Sequence, residues 1–348
     1  MGEHPFHIGM IGAGGIARSR HIPGLKKVPG VRLVAVANRS PESGRKAREE
    51  FGFEKSYERW QDVVNDPEVN IVFVCTPPYL HREISCYALA RGKHVFCQAR
   101  MAVNLAEARV MLEADRQTKL TTMLCPPPHY MTVEPYVRKL LADGGLGEIR
   151  HVELSHTTAT FLDPAAPLHW RQRKDLQGIN MLDVGITGEV LNKWFGSLDK
   201  LSAKGRTWVP SRPKDRDGRS AVELPDAVTV IGSFESGATF TGLFAQAVNG
   251  GRSMLGIFGS EGTLLCDANE NFVLLRKGKN EERIDIPPEL RGKWTVEEDF
   301  LRAVAEGRKG TPSFADGVRY MAFTQAVYDS LEKDMEPVRV ARLQDSPV

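Results

Sequence analysis

The stretch IGMIGAGGIARSRHIPGL, residues 8–25, decides how the first half of the chain is read. An apolar run stops at Gly12, the sextet Gly12-Ala13-Gly14-Gly15-Ile16-Ala17 follows, and the apolar spacing then turns helical. This is the G-x-G-x-x-A fingerprint in the context that gives it meaning, after a strand and opening a helix. Gly12 permits the tight turn, and Gly14 lets the backbone approach a pyrophosphate. Gly15 and Ile16 complete the loop, and Ala17 lets helix and strand pack closely with the helix N-terminus facing the negative charge.

Working outward, HIGMIG, VRLVAVAN, NIVFVCTPP, KHVFCQA and LTTMLCPPP are short apolar runs bounded by Gly, Pro or Asn. Such runs suit strands buried on both faces of a parallel sheet. Amphipathic stretches separate them: PESGRKAREEFG, SYERWQDVVND, LHREISCYALARG and NLAEARVMLEADRQT. The alternation predicts an α/β Rossmann domain, a doubly wound parallel sheet over residues 1–127, closed by the triple proline at 126–128.

From residue 128 to 348 the rhythm changes. RHVELSHTTAT alternates as a half-exposed strand does, and DAVTVIGSFESGATFTGLFAQA reads as a hairpin turning at Ser236-Gly237. GRSMLGIFGSEGTLLCDA and NFVLLRKG add strands, and two helices follow in TVEEDFLRAVAEG and FADGVRYMAFTQAVYDSLEKD. The expectation is an α+β domain with a mostly antiparallel open sheet for substrate binding and oligomerisation, its last helices packing back on the first domain. VPSRPKDRDGRSAVELP, residues 209–225, reads as a charged surface loop.

Composition narrows the partners. Lys+Arg 46 against Asp+Glu 44 gives a formal charge of +2, so nothing favours nucleic acid or an anionic membrane. No apolar run approaches the roughly 20 residues of a membrane span, and the start shows neither a signal-peptide nor a myristoylation pattern. The five cysteines, Cys75, Cys86, Cys97, Cys125 and Cys266, form no C-x-x-C pair and read as buried thiols of a cytoplasmic protein. No His/Cys/Asp set has metal-ligand spacing along the chain, so no metal is expected.

The end of the second strand bears on the nucleotide. An NAD site places Asp or Glu there to hold the ribose 2′-hydroxyl. This chain has Asn38, Arg39 and Ser40, which offer donors and no carboxylate. NADP is therefore expected over NAD, with Arg39 on the 2′-phosphate or the adenine; otherwise Arg39 is a solvated surface arginine.

With these motifs in view, the chain resembles the Gfo/Idh/MocA family, named for glucose–fructose oxidoreductase and inositol dehydrogenase. The resemblance rests on residues 8–25, on VCTPPYLHREISCYALARGKHVFC, on LLADGGLGEIRHVEL, on HWRQRKDLQGINMLDVGI and on the last helices. It implies a pyridine-nucleotide site on the first domain and a sugar-like polyol, aldose or sugar acid bound against the second domain's sheet. By match, Thr76, Pro77, Pro78 and His81 line the nicotinamide side; His81 equally reads as a helix-start histidine satisfied by the backbone. Homo-oligomers are implied as well.

The chain departs from the family at two positions. Gln98-Ala99-Arg100 stands where the family has Glu-Lys-Pro, so the usual lysine is Ala99, and Thr187 stands where a histidine follows Asp183. Gln98 does not titrate, and Arg100 can hold an oxyanion but not act as a base. Asp183 is the matched proton acceptor or a helix cap, with Thr187 four residues on as its hydrogen-bonding neighbour. His129 and Tyr130 in CPPPHYM and His169 in PLHWRQR are further acid–base candidates or packing residues. His156 reads as core or interface. The Ala99–Arg100 peptide lacks proline and is expected trans, since cis costs about 2.5–4 kcal/mol.

The resulting expectation is an NADP(H)- or NAD(H)-dependent oxidoreductase of a carbohydrate-like substrate. Two alternatives are a redox-neutral enzyme that keeps its nucleotide and runs oxidation–elimination–reduction on a glycoside, and a silent nucleotide- and ligand-binding sensor.

Overall fold

The computed structural model describes residues 6–214 and 218–344. The opening MGEHP, the middle of the 209–225 stretch and the last four residues lie outside the described residues. The chain divides into two compact units. One comprises the residues up to Pro126 together with Thr295–Val318; the other comprises Pro127–Trp294 and the residues from Arg319 onward. Among the described residues no helix is long and apolar enough to cross a membrane.

The first unit holds a six-stranded parallel sheet in the order β3-β2-β1-β4-β5-β6. Its strands are β1 (Phe6–Ile11), β2 (Val31–Ala37), β3 (Lys55–Tyr57), β4 (Ile71–Val74), β5 (His94–Cys97) and β6 (Thr122–Leu124). Ile71–Val74 are wholly buried, as strands covered on both faces must be. The strand order reverses between β1 and β4, which is where nucleotides bind in such sheets. The sequence reading missed β3, a three-residue edge strand whose last two residues, Ser56 and Tyr57, open the stretch read as helical. The helix Pro41–Phe51 begins on a Ser40–Ser43 capping box and ends at Gly52 with φ 76°.

Residues 295–318 complete this unit. Phe300 from the helix Val296–Ala305 meets Phe73 and Phe96 at ring-centroid distances of 5.6 and 5.5 Å. Past that helix the chain borders β6: Gly310 N–H donates to Thr122 O at 2.9 Å and Leu124 N–H donates to Pro312 O at 2.8 Å. Lys309 Nζ anchors the segment on Asp115 Oδ1 at 2.6 Å.

The second unit is built on a nine-stranded sheet. Its central strand, β7 (Ile149–Thr157), pairs parallel with Thr239–Ala245 and antiparallel with Ser253–Gly259. Every other described pairing in this sheet is antiparallel. The expected hairpin is present, with Ala227–Phe234 against Thr239–Ala245 and Gly237 at φ 92°. Val152, Leu154 and His156 share one buried side of β7. Helix Val184–Phe195 runs so close to the chain's last long helix that a methyl group on Gly188 would strike the Phe323 ring. The 209–225 stretch departs from the expected loop. It contains a two-stranded ribbon, Ser211–Lys214 with Gly218–Ala221, and Arg212 is fully buried. The Arg212 guanidinium donates to the carbonyls of Phe161 and Asp163, and this is what fixes the ribbon.

All five cysteines are free; Cys97, Cys125 and Cys266 are buried, while Cys75 and Cys86 are partly exposed.

Candidate active site

The nucleotide loop follows the geometry its residues require. Gly12 has φ +93°, and a Cβ there would lie 2.7 Å from the Cys75 carbonyl carbon and oxygen, so only glycine lets the turn pass the end of β4. At Gly14 and Gly15 a Cβ would meet nothing within 4 Å. The loop therefore presents bare backbone to an open space, as close approach by a pyrophosphate demands. Ala17 is fully buried and Ile16 is exposed. Thr76 Oγ1, beside the same strand end, is buried without a hydrogen-bond partner among the described residues. These features fit a bound dinucleotide.

Asn38 and Ser40 are committed locally, contrary to the expectation that they are free donors. Asn38 Oδ1 accepts from Ala13 N–H at 2.7 Å, and its Nδ2 donates to Ser43 O at 2.9 Å, which ties the glycine turn to the next helix. Ser40 caps that helix. Arg39 is exposed and remains the one donor of the three still available to a 2′-phosphate.

At the end of β5 most of the expected site residues turn inward. His81 is fully buried. Its Nδ1 lies 2.8 Å from Arg100 O and its Nε2 lies 2.6 Å from Thr76 O. It braces the Thr76-Pro77-Pro78 turn against the strand-end segment instead of facing a ligand. Pro78 is buried, while Pro77 is partly exposed. Burial holds the His81 pKa below the ordinary histidine value despite those carbonyls. Arg100, expected to hold a substrate oxyanion, is only 4% exposed. The Ala99–Arg100 peptide is cis. The trans expectation rested on the intrinsic preference of a non-proline bond, whereas here the Arg100 carbonyl is held on His81.

Gln98 has partners the sequence reading did not foresee. Its amide nitrogen donates to His21 Nε2, its Oε1 accepts from Ala99 N–H at 3.2 Å, and His21 Nδ1 lies 2.5 Å from Glu297 Oε1.

The second unit carries the polar constellation with access to solvent. Asp183 occupies the N-cap position of Val184–Phe195, but its side chain makes no capping bond. Its Oδ2 accepts from His156 Nε2 at 2.8 Å and from Gln246 Nε2 at 2.9 Å. The other ring nitrogen, His156 Nδ1, is 2.8 Å from Ser253 Oγ. An ionised carboxylate only accepts, so a neutral His156 ring carries its proton on Nε2 and accepts from Ser253 at Nδ1. The His129 ring stands edge-on to His156 with centroids 5.0 Å apart. Ligand atoms of His129, His156 and Asp183 all lie within 4.8 Å of one another.

The fold adds to two expectations. Residues 156 and 183 are 27 apart, so no metal-type spacing shows along the chain, and they meet only through the fold. His156, read as core or interface, is buried as that reading has it and is also a member of the cluster; the signal was a histidine on the inward parity of β7. Three other candidates turn away. Tyr130 is 1% exposed against Trp194, and burial pushes its hydroxyl pKa up. Thr187 is 1% exposed and donates to the Asp183 backbone carbonyl at 2.8 Å, not to its carboxylate. His169 is half-buried beside Phe161 and Trp170 and accepts from Arg171 N–H at 3.2 Å.

Comparison with known proteins covers both units of the chain. The family model described as "Oxidoreductase family, NAD-binding Rossmann fold" matches residues 6–124, and the "GFO/IDH/MocA C-terminal domain" model matches residues 136–265. Levoglucosan dehydrogenase of Pseudarthrobacter phenanthrenivorans is 25% identical over 348 residues, spanning 88% of this chain and 89% of that protein. The 1,5-anhydro-D-fructose reductase of Ensifer adhaerens is 31% identical over 292 residues, spanning 80% and 83%. A levoglucosan dehydrogenase solved with NADH and levoglucosan superimposes at a TM-score of 0.88 with 22% identity, over 97% of this chain and 100% of that one. At that identity the superposition speaks for the fold.

Proposed function

This chain belongs to the Gfo/Idh/MocA family of oxidoreductases, whose nicotinamide-nucleotide Rossmann domain it carries, and we propose that it uses NADP(H) in preference to NAD(H) on a sugar-like polyol, aldose or sugar acid. Its relatives include a dehydrogenase of levoglucosan and a reductase of 1,5-anhydro-D-fructose, which supports a carbohydrate-like substrate. Bound nicotinamide supplies the hydride acceptor or donor. Gly12, Gly14 and Gly15 leave the backbone open for the pyrophosphate, and Arg39 supplies a cation for the 2′-phosphate.

The observation that carries the reading is the His156–Asp183 pair. The lysine and histidine positions of the family are Ala99 and a back-bonded Thr187. The His129–His156–Asp183 cluster takes their place as the group that handles the substrate hydroxyl. Its Asp183 side chain is 18% exposed, oriented by His156 and Gln246, and able to meet a sugar hydroxyl. We further propose a homo-oligomer formed through the open sheet face, where Ile231 and Leu243 sit on neighbouring strands at 50% and 39% exposure.

The test is a screen of polyols, aldoses and sugar acids that follows nicotinamide absorbance, with Asp183→Asn beside wild type. General-base catalysis contributes about 10²–10⁴-fold, so turnover should fall by that factor with nucleotide affinity unchanged. Normal turnover in Asp183→Asn defeats the assignment.

A further inference from the structure

We infer that His129, His156 and Asp183 form a three-ligand site for a divalent transition-metal ion of the zinc class, with a fourth coordination position open to a substrate hydroxyl or water. The inference deepens the reading above and rests on it only for the identity of the substrate. It names how the cluster handles a hydroxyl: Asp183 acts on it through a bound ion that it helps to hold, in place of accepting the proton itself.

The donor set is the first ground. Two imidazoles and one carboxylate converge within 4.8 Å from three separate elements: the segment after β6, the central strand β7, and the start of the helix Val184–Phe195. Three protein ligands of this kind plus one open position describe catalytic zinc sites. Tetrahedral coordination with ligand bonds of about 2.0–2.1 Å sets donors about 3.4 Å apart. The cluster therefore needs only side-chain adjustment to reach that geometry, with His156 and Asp183 moving slightly apart from their present 2.8 Å.

The support behind the ligands is the second and independent ground. Metal-bound imidazoles as a rule donate their other N–H to a fixed acceptor, and ligating carboxylates are themselves hydrogen-bonded. Both partners are already in place. Ser253 Oγ stands 2.8 Å from His156 Nδ1, and Gln246 Nε2 donates to Asp183 Oδ2 at 2.9 Å. When His156 presents Nε2 to an ion, its proton shifts to Nδ1 and Ser253 changes from donor to acceptor, a change a hydroxyl makes by rotation. No buried polar atom loses its partner. His156 is buried while His129 and Asp183 are partly exposed, so one side of the cluster is open to solvent.

An ion held there would draw electron density from a bound hydroxyl and favour its alkoxide, the form from which a carbinol releases hydride. The hydroxyl proton passes to solvent, and the hydride with its electron pair passes to the oxidised nicotinamide. No further redox partner is required.

The test uses the full chain, treated with chelator, dialysed and titrated with cobalt(II) chloride. One equivalent should bind and give the visible band of a four- or five-coordinate ion. His129→Ala and His156→Gln should abolish the band, and Ser253→Ala should weaken binding by about 10–100-fold without abolishing it. A cooperative urea transition at the wild-type midpoint reports that each variant is folded. No band, or the same uptake in all variants, overturns the proposal. So does full turnover after chelation in an enzyme that Asp183→Asn still impairs; that result would leave the hydride-transfer reading standing. A cobalt band lost in the variants, in a protein that transfers no hydride with any sugar, would keep the site and defeat the hydride-transfer reading instead.

Discussion

His21 Nδ1 lies 2.5 Å from Glu297 Oε1, with side-chain exposures of 0% and 3%, across 276 residues of sequence. Behind the strand-end segment this makes a continuous line: Glu297 accepts from His21, His21 Nε2 accepts from the Gln98 amide, and Gln98 Oε1 accepts from Ala99 N–H. His21 packs against the stacked rings of Phe73 and Phe96 at centroid distances of 6.1 and 5.1 Å, and its side chain is shut off from solvent.

Glu297→Gln should therefore cost stability, about 1–3 kcal/mol for disturbing a buried charge-assisted hydrogen bond. Gly24→Ala should act in the same direction, because its new methyl group would strike the Glu297 carboxylate. Urea unfolding of the three proteins measures both effects. Unchanged midpoints would mean that the line carries no energetic weight.

Gly12→Ala is expected to lose nucleotide binding altogether. The residue would have to hold φ +93° and place its Cβ against the Cys75 carbonyl, which is backbone that cannot move aside. Fluorescence titration with NADPH and NADH reads the outcome, and retained affinity for either would show that the turn is not the pyrophosphate loop.

Arg39→Ala should weaken NADP by about 10–100-fold, the loss of a charge-assisted hydrogen bond, and leave NAD unchanged. Equal effects on both nucleotides would assign Arg39 to adenine instead of phosphate.

The buried histidines set a pH dependence. Burial lowers the pKa of His81, His94 and His169, with the nearby Arg171 adding to the effect at His169. In the unfolded chain each imidazole protonates near pH 6.5. The folded chain resists until a lower pH, so between the two the unfolded state binds more protons. Stability is then complete above about pH 6.5 and falls below it by at most about 1.4 kcal/mol per pH unit for each such group, until the folded pKa is reached. Urea midpoints from pH 7.5 down to 5.5 should decline, with a shallower slope in His81→Asn. The same slope in both proteins would remove His81 from the account.

What the sequence discloses is local. The β1 turn with Gly12 and the hairpin at Ser236-Gly237 are legible because neighbouring residues dictate their own backbone. The short edge strand Lys55–Tyr57 has too few residues to show a period. The 209–225 ribbon looks like solvent because Arg212 is charged, although its guanidinium is spent on the carbonyls of Phe161 and Asp163. Pairings such as His156 with Asp183 and His21 with Glu297 are set by strand order and chain return, which no spacing rule encodes. Asp183 could be marked in advance by family match and His129 by its place after the last parallel strand; His156 and Gln246 could not.

The return of residues 295–318 to the first unit has a consequence for synthesis. A ribosome releases the fingerprint loop and all six parallel strands long before it makes Phe300, Glu297 or the segment bordering β6. Until then the nascent first unit keeps an open edge at Thr122–Leu124, and His21 lacks its carboxylate. Its completion waits for the second unit to be translated, so late truncations should damage the earliest-made part of the protein, where cofactor is held.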